Sequence, residues 1–307
     1  MEAWIKEYLD LIGDVTPKLD NIEKAYQIKY PNIPEILYRF RPLSNEIITI
    51  DGKNYKKSEL ELENFENNQI WLSSPFDFND PYDSKPLFNP DIILKESLND
   101  EKIKKIMFQN AGTEDVNSEE FKEKFKQILK LYQTLFLDIT LSLRIGCFTQ
   151  NNYTNILMWS HYANCHSGYC IEYDMTQIQY ENFFSRFMYP VIYSKDIFDL
   201  SGHLISALKY SIYKEQPFNN LIAMVLIPLF KAAEWGYEKE WRLIYDAKNL
   251  LMKSNLANAP VPKTIYLGTK IDAVHKEKLI NIARRKQIGI YEMQMKGNEY
   301  SLIKNSL

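Results

Sequence analysis

Two glutamates and an arginine alternate in the segment WGYEKEWR, in the last third of the chain. If residues 240–246 form a strand, Glu238, Glu240 and Arg242 share one face of it, because strand side chains alternate with a period of two. Two neighbouring carboxylates shift each other's pKa and serve acid–base or electrostatic chemistry. A polar strand face with an internal Glu–Arg ion pair explains the same pattern. Glu238 and Glu240 are therefore candidate catalytic residues, with Trp241 expected on the buried side.

A pair of arginines lies in the early segment YRFR, where Arg39 and Arg41 share one face of a predicted strand. A guanidinium group is a rigid fork of donors that suits phosphate or carboxylate. Either the arginines bind a ligand, or they pair with acidic side chains of the other motifs. Tyr38, beside them, is expected to line or support one polar pocket together with Arg39 and residues of the other motifs: Ser74, Asn79, Asp80, Trp159, His161, Tyr162, Glu238 and Glu240.

The segment LSSPFDFNDPYD combines a strand end with a turn. Ser73 and Ser74 end a second predicted strand and are placed to touch a ligand. Asn79 and Asp80 follow in a turn, in which such side chains hydrogen-bond the backbone. Asp80 and Asp83 are alternatively ligands for a divalent cation, although no spaced set of further ligands accompanies them.

The segment NILMWSHYA predicts a short helix that carries Trp159, Ser160, His161 and Tyr162. Trp159 and Tyr162 are three residues apart and share one helix face, with Ser160 and His161 beside it. His161 is a candidate general base or ligand contact. A buried histidine with satisfied hydrogen bonds explains it equally well.

Composition limits the class of protein. The 307 residues are 45% hydrophobic and 25% charged, which is typical of a globular chain, and a net charge of −3 gives no overall attraction to nucleic acid or anionic membrane. A local basic patch leaves nucleic acid open as a partner. Three cysteines, Cys147, Cys165 and Cys170, without repeated spacing favour a reducing compartment and hence a cytoplasmic location. The apolar run 221–230 is too short to span a bilayer and contains Pro228, so no membrane partner is expected.

Periodicity predicts both strands and helices. The predicted strands are 36–41, 69–74, 144–149, 168–174, 188–194, 240–246, 263–268 and 288–295. The predicted helices are one or two within 1–29, then 58–67, 91–110, 118–143, 155–163, 200–233 and 274–287.

These elements predict an α+β fold with a mixed, largely antiparallel sheet system, because several strands precede the final strand–helix–strand unit. The chain lacks an evident linker, so a single domain over 1–307 is expected. It would carry an N-terminal helical arm at 1–34 and a helical insertion at 91–143.

Five segments in order, YRFR, LSSPFDFNDPYD, CFT, MWSHYANCHSGYCIEYD and WGYEKEWRLIYD, resemble a mostly bacterial family catalogued as domain of unknown function 2971. The resemblance runs from about Tyr38 to Gly268. Because the family is named for its lack of a known function, the resemblance implies no chemistry by itself.

The order of the motifs also resembles the arrangement of ADP-ribosyltransferases. That resemblance implies that Arg39 holds the phosphates of NAD and that Ser73 or Ser74 orients the nicotinamide ribose. Glu240 would hold the ribose hydroxyl while nicotinamide leaves, because a carboxylate stabilises an oxocarbenium-like transition state. The chain departs from that class in having SSP where STS is usual.

The expected function is therefore an NAD-dependent, ADP-ribosyltransferase-like enzyme with NAD as co-substrate. It would be a bacterial toxin or antiphage effector that modifies a macromolecule and has a neutralising partner protein. Two alternatives stay open: a metal-dependent hydrolase or nuclease that uses the Asp/Glu cluster, and a non-enzymatic nucleotide-binding sensor. Convergence of Arg39, Ser73 and Glu240 on one cleft would favour transfer, whereas glutamates paired with buried arginines would be structural.

Overall fold

A computed structural model describes residues 2–13, 19–50, 52–215, 226–248 and 254–307. The helices are α1 (Ala3–Ile12), α2 (Leu19–Lys29), α3 (Lys57–Glu66), α4 (Pro90–Leu98), α5 (Glu101–Ala111), α6 (Glu119–Ser142), α7 (Ile156–Tyr162), α8 (Phe183–Arg186), α9 (Ser201–Lys214) and α10 (Ala273–Lys286). The strands are β1 (Ile36–Arg41), β2 (Ile47–Ile50), β3 (Lys53–Lys56), β4 (Gln69–Trp71), β5 (Leu143–Thr149), β6 (Tyr169–Asp174), β7 (Met188–Pro190), β8 (Ile192–Ser194), β9 (Phe230–Ala232), β10 (Glu240–Asp246), β11 (Leu256–Asn258), β12 (Thr264–Leu267), β13 (Gly289–Met295) and β14 (Leu302–Ser306). Short 3-10 helices cover Tyr30–Asn32, Pro75–Asp77, Met175–Gln177, Ile227–Leu229 and Ala233–Glu238.

The chain divides into two compact units, each assembled from separate stretches. The first unit comprises Met1–Pro31, Ser74–Leu143 and Val191–Trp235, and the second comprises Asn32–Ser73, Arg144–Pro190 and Gly236–Leu307. Helices α1 and α2 of the predicted arm and the predicted insertion at 91–143 all belong to the first unit. The single-domain organisation stays a prediction.

The first unit is mostly helical, and its apolar cores lie between α4 and α9 and between α5 and α6. Ser118 caps α6 by accepting a hydrogen bond from the backbone N–H of Phe121 at 3.2 Å. The predicted helix at 91–110 is two helices, because Asp100 interrupts it and caps α5 instead. Its carboxylate accepts from the N–H groups of Lys102 and Ile103, at 3.2 Å each.

The second unit is built on one large sheet. Eight strands of the described residues follow the order β14-β13-β12-β6-β1-β5-β10-β7. β1 pairs antiparallel with β5 and β6, β12 with β6, β13 with β14, and β10 with β7. β12 and β13, which α10 connects, pair in parallel. The mixed, largely antiparallel sheet predicted from the sequence is thereby confirmed.

Two predicted strands differ from the expectation. The strand expected at 69–74 is shorter, since β4 pairs with β11 in a separate two-stranded sheet and only Ser73 bridges to β5, through Ile145. The strand expected at 188–194 is divided between β7 and β8. β8 pairs in parallel with β9 inside the first unit, so the polypeptide passes from one unit to the other at this point.

The helix expected over 200–233 is interrupted at Glu215 and is wrong from Ile227 onward. α9 ends at Lys214, and residues 216–225, which hold part of the apolar run, lie outside the described residues. Ile227–Leu229 is a 3-10 turn and is followed by β9, in keeping with the inability of Pro228 to continue a helix. β2 and β3 form a hairpin that the sequence did not reveal, because its residues are largely exposed and lack a clear apolar alternation.

Two glycines allow backbone segments to approach closely in the second unit. A Cβ atom at Gly168 would lie 2.0 Å from the carbonyl oxygen of Arg41, and one at Gly268 would lie 2.1 Å from that of His166. Hydrogen bonds hold these segments together, since the Gly268 N–H donates to the Gly168 carbonyl at 2.9 Å. The two glycines therefore fix the turn after α7 against β1 and β12.

Replacing Gly268 by alanine is expected to lower the free energy of unfolding by about 1–3 kcal/mol, because the added methyl group overlaps a fixed carbonyl. Urea unfolding measures the change. Gly202→Ala is the matched control, since a Cβ there meets nothing within 4 Å, and its midpoint should be unchanged or slightly higher. Equal midpoints for the two variants would show that the close approach is not a constraint.

Candidate functional site

Hydrogen bonds from three places in the second unit converge at the start of β10. The Tyr162 hydroxyl on α7 donates to the Glu238 carboxylate. The Thr149 hydroxyl on β5 donates to the backbone carbonyl of Glu238, and the Asn151 side-chain amide donates to that of Tyr237. Glu238 is thus held through both its side chain and its backbone.

Glu240 forms an ion pair with Arg242 on the same strand. The Arg242 Nε lies 2.9 Å from Oε1 of Glu240, and Nη2 lies 3.2 Å from Oε2, which makes the contact bidentate. Both side chains are buried, with 5% and 0% exposure. Trp241, between them, is buried on the opposite side of β10. Tyr162, Glu238, Glu240 and Arg242 are called the glutamate cluster below.

The two glutamates come together through a turn, not through strand alternation alone. Glu238 ends the 3-10 helix Ala233–Glu238, Glu240 begins β10, and Lys239 between them has a positive φ of 46°. A left-handed conformation is unfavourable for a residue with a Cβ, by about 1–2 kcal/mol. Surrounding contacts must therefore stabilise this turn.

Burial raises the pKa of the Tyr162 hydroxyl, and the charges of Glu238 and Glu240 raise it further. Tyr162 consequently stays protonated and acts as a hydrogen-bond donor.

The other residues of α7 have separate roles. Trp159 is fully buried, and its indole N–H donates to the Tyr153 carbonyl at 2.6 Å, so it belongs to the core. The Ser160 hydroxyl donates to the Ile156 carbonyl at 2.9 Å. His161 is exposed, with its ring centroid 6.2 Å from that of Tyr162 and 6.3 Å from that of Tyr237. His161 thus lies at the solvent edge of the glutamate cluster and is not a buried structural histidine.

Tyr38 points to the same side of the sheet as α7. It belongs to an apolar cluster with Trp159, against which Tyr162 and Tyr237 also pack. Burial raises the pKa of its hydroxyl, followed by the charge and hydrogen bond of Glu172. Sequence reasoning did not single out Glu172, whose carboxylate is buried among tyrosines.

Arg39 points to the other side of the sheet. It alternates along β1 with Tyr38, which packs toward α7, so its guanidinium faces away from the glutamate cluster. There Nη2 donates to the Trp71 carbonyl at 2.7 Å, and the group lies 5.5 Å from the Phe148 ring centroid. Burial lowers the pKa of Arg39 to about 10, and the charge of Arg41 contributes. The expected convergence of Arg39 with Glu240 is not what the structure shows.

Arg41 has a partner that the sequence did not suggest. Its guanidinium forms a bidentate pair with Glu61 of α3, with Nε 2.6 Å from Oε1. The Tyr169 hydroxyl also donates to Glu61, at 3.1 Å. Burial by itself would raise the pKa of Glu61, but the charge and hydrogen bonds of Arg41 outweigh it and lower the pKa below its ordinary value.

The serines and the acidic turn have local structural roles. Ser73 exchanges two 2.8 Å backbone hydrogen bonds with Ile145 in the second unit. Ser74, in the first unit, forms a capping box, accepting from the Phe76 N–H at 3.4 Å while its own N–H donates to Asp77 at 3.2 Å.

The Asp80 turn also belongs to the first unit. Asp80 accepts from the Tyr82 N–H at 2.8 Å, as expected for such a turn, and Asn79 is exposed. Over the described residues, no group of three or more His, Cys, Asp or Glu side chains is arranged to hold a metal ion.

Comparison with protein families gives one match. The family described as "Protein of unknown function (DUF2971)" matches residues 158–243, which confirms the resemblance over that stretch. The match starts in α7 and ends in β10, so it includes all four residues of the glutamate cluster. No curated protein and no solved structure matches the chain. In the part of the chain that is described, no helix is long and apolar enough to cross a membrane.

Arg242→Met is expected to lower the free energy of unfolding by about 3–5 kcal/mol, because it removes the bidentate partner of a buried carboxylate. The double variant Glu240→Gln/Arg242→Met should be more stable than Arg242→Met alone, since it also removes the buried charge. Urea unfolding of the wild type, Glu240→Gln, Arg242→Met and the double variant forms a double-mutant cycle, which measures the coupling of the two side chains. Additive effects would show that the two side chains are not coupled.

Because the pKa of Glu61 is lower in the folded than in the unfolded protein, the free energy of unfolding depends on pH in the acid range. The contribution of Glu61 is fully present above the unfolded-state pKa, near the ordinary value of 4.5, and is lost as pH falls through the lower folded-state pKa. Below pH 4.5, Glu61→Gln should therefore lose less unfolding free energy than the wild type. Glu59→Gln, an exposed position on the same helix, should follow the wild-type curve. Parallel curves for all three proteins would contradict the assignment.

Proposed function

We propose that the chain is an NAD-dependent, ADP-ribosyltransferase-like enzyme whose reaction is centred on the glutamate cluster. One observation carries the proposal: the buried Glu238 carboxylate accepts a hydrogen bond from the Tyr162 hydroxyl directly before β10, and buried Glu240 begins that strand. Carboxylates fixed in this way face a developing positive charge without reorganising, which is where electrostatic catalysis gains most.

The proposed reaction moves one ribosyl group. The bond between the nicotinamide nitrogen and ribose C1′ breaks, and its electron pair leaves with nicotinamide. A nucleophilic oxygen or nitrogen of a macromolecule then bonds to C1′ and gives up its proton to solvent, directly or through a carboxylate. The products are the ADP-ribosylated acceptor, nicotinamide and one proton. The cluster's part is to stabilise the oxocarbenium-like state between these two bonds.

We assign the action on the substrate to Glu238, because its carboxylate contacts Tyr162, whose half-buried ring lies at the solvent edge of the cluster. Glu240 is held by the bidentate contact with buried Arg242, and these two are assigned a positioning role. The half-buried rings of Tyr162 and Tyr237, with exposed His161 beside them, form the side from which a ligand would approach.

The proposal assigns no phosphate contact to Arg39, because its guanidinium faces the other side of the sheet. Arg39 and Arg41 instead belong to the packed face that carries Phe148 and Glu61. The role as a toxin or antiphage effector with a neutralising partner protein follows only if transfer is found.

The test uses the whole chain with NAD labelled in its adenylate part, incubated with cell extract, and measures both nicotinamide release and label on macromolecules. Glu238→Gln, which keeps the side-chain shape, is expected to lower the rate by about 10²–10³. Glu234→Gln is the control, since Glu234 is exposed on the same 3-10 helix. Its rate should equal that of the wild type.

Three other results would contradict the proposal. NAD binding without turnover would indicate a nucleotide sensor. The absence of NAD binding would remove NAD as co-substrate. Full activity in a folded Glu238→Gln variant, checked by its thermal melt, would remove the assigned role of the carboxylate.

A further inference from the structure

The first unit encloses a cavity that the proposed reaction does not use. It has a volume of about 380 Å³ and lies between the turn after Ser74 and the second half of α6. Ligand pockets span about 300–1,000 Å³, so this cavity suits a small molecule. Its walls are mostly apolar and include the rings of Phe76, Phe78, Phe88 and Phe136.

Asp80 brings a carboxylate into this apolar wall. The residue is 8% exposed and lines the cavity. Its Oδ1 accepts from the Tyr82 N–H at 2.8 Å, whereas Oδ2 is buried and has no hydrogen-bond partner among the residues that the structure describes. A buried acceptor without a donor is costly, more so when it is charged. Oδ2 therefore lacks the donor that its chemistry requires.

The neighbouring charges do not supply that donor. Asp83, also in the cavity wall, accepts from the Ser84 hydroxyl at 2.8 Å, and its Oδ2 lies 3.9 Å from the Nζ of Lys231. Lys231 in turn lies 5.0 Å from the ring centroid of Trp235. Lys85 lines the cavity as well but is exposed. The charge of Asp83 thus has a buried cation opposite it, while Asp80 Oδ2 has none within hydrogen-bonding distance in the described part of the chain.

We propose that this cavity binds a small organic cation, an ammonium or amidinium group on an aromatic or apolar body. The cationic group would pair with the Asp80 carboxylate at the cavity wall, the side chain turning so that Oδ2 accepts from an N–H group, and the body would contact the phenyl rings. Two features of the wall favour a cation over a neutral donor. A carboxylate accepts most strongly from a charged N–H group, and aromatic faces attract positive charge. The inference concerns the first unit alone and does not depend on the proposed transferase activity.

The decisive comparison uses two probes of nearly equal shape, benzylamine and benzyl alcohol, which differ in charge at neutral pH. Titration calorimetry on the wild-type chain should show tighter binding of benzylamine, with benzamidine as a second cationic probe. Asp80→Asn should weaken benzylamine binding about ten-fold or more, because the charge-assisted hydrogen bond is lost. Asp138→Asn is the matched control, an exposed carboxylate on α6 whose replacement should leave affinity unchanged.

A second variant locates the binding. Leu137 lines the cavity and is 47% exposed, so Leu137→Trp should fill part of the space without disturbing the core, and should weaken every probe. Equal affinities for benzylamine and benzyl alcohol would overturn the proposal, as would unchanged benzylamine affinity in Asp80→Asn or the absence of binding by both cationic probes. If Asp80→Asn fails to fold, the wild-type comparison of the two isosteric probes and Leu137→Trp still decide the question.

Discussion

Burying charge in the middle of a sheet is the constraint on which the second unit depends. β10 takes Glu240 and Arg242 to almost zero exposure, directly after a turn that buries Glu238. A buried charge is tolerated only with close compensation and further hydrogen bonds. The bidentate Glu240–Arg242 contact provides the charge compensation, and the Tyr162 hydroxyl provides a further hydrogen bond, to Glu238. The position of α7 relative to β10 follows from this requirement.

On the other face of the sheet, different residues pair an arginine with a glutamate. Arg41 and Glu61 form a bidentate pair, which also receives the Tyr169 hydroxyl. Arg39, next to them, donates to a backbone carbonyl and packs against Phe148. Among the described residues, the sheet therefore carries a buried acid–arginine pair on one side and a half-buried pair on the other. The Glu240–Arg242 pair is the internal ion pair that strand alternation suggested, whereas the Arg41–Glu61 pair joins residues that the motifs did not connect.

The family match covers residues 158–243, the stretch whose two ends meet through the hydrogen bond from Tyr162 to Glu238. A buried polar network of this kind can specify a unique packing of helix on sheet, and it can also preorganise carboxylates for chemistry. Both roles use the same hydrogen bonds. Exposure separates them, because only a catalytic cluster must open to a substrate, and the half-buried Tyr162 and Tyr237 with exposed His161 give the cluster such an edge.

The sequence by itself determined the elements that local patterning controls. The alternation in ILYRFR and EWRLIYD predicted β1 and β10 at their observed bounds. Only the tertiary structure decided which side chains meet. Glu61 is one of several glutamates on α3, and local sequence does not distinguish it. Its contacts with Arg41 of β1 and Tyr169 of β6 do. Likewise, alternation places Arg39 and Glu240 each on a face of its own strand, but the sequence carries no information on which faces coincide. Which faces coincide depends on the side of the sheet where α7 packs. Contacts between residues far apart in the chain determine that side.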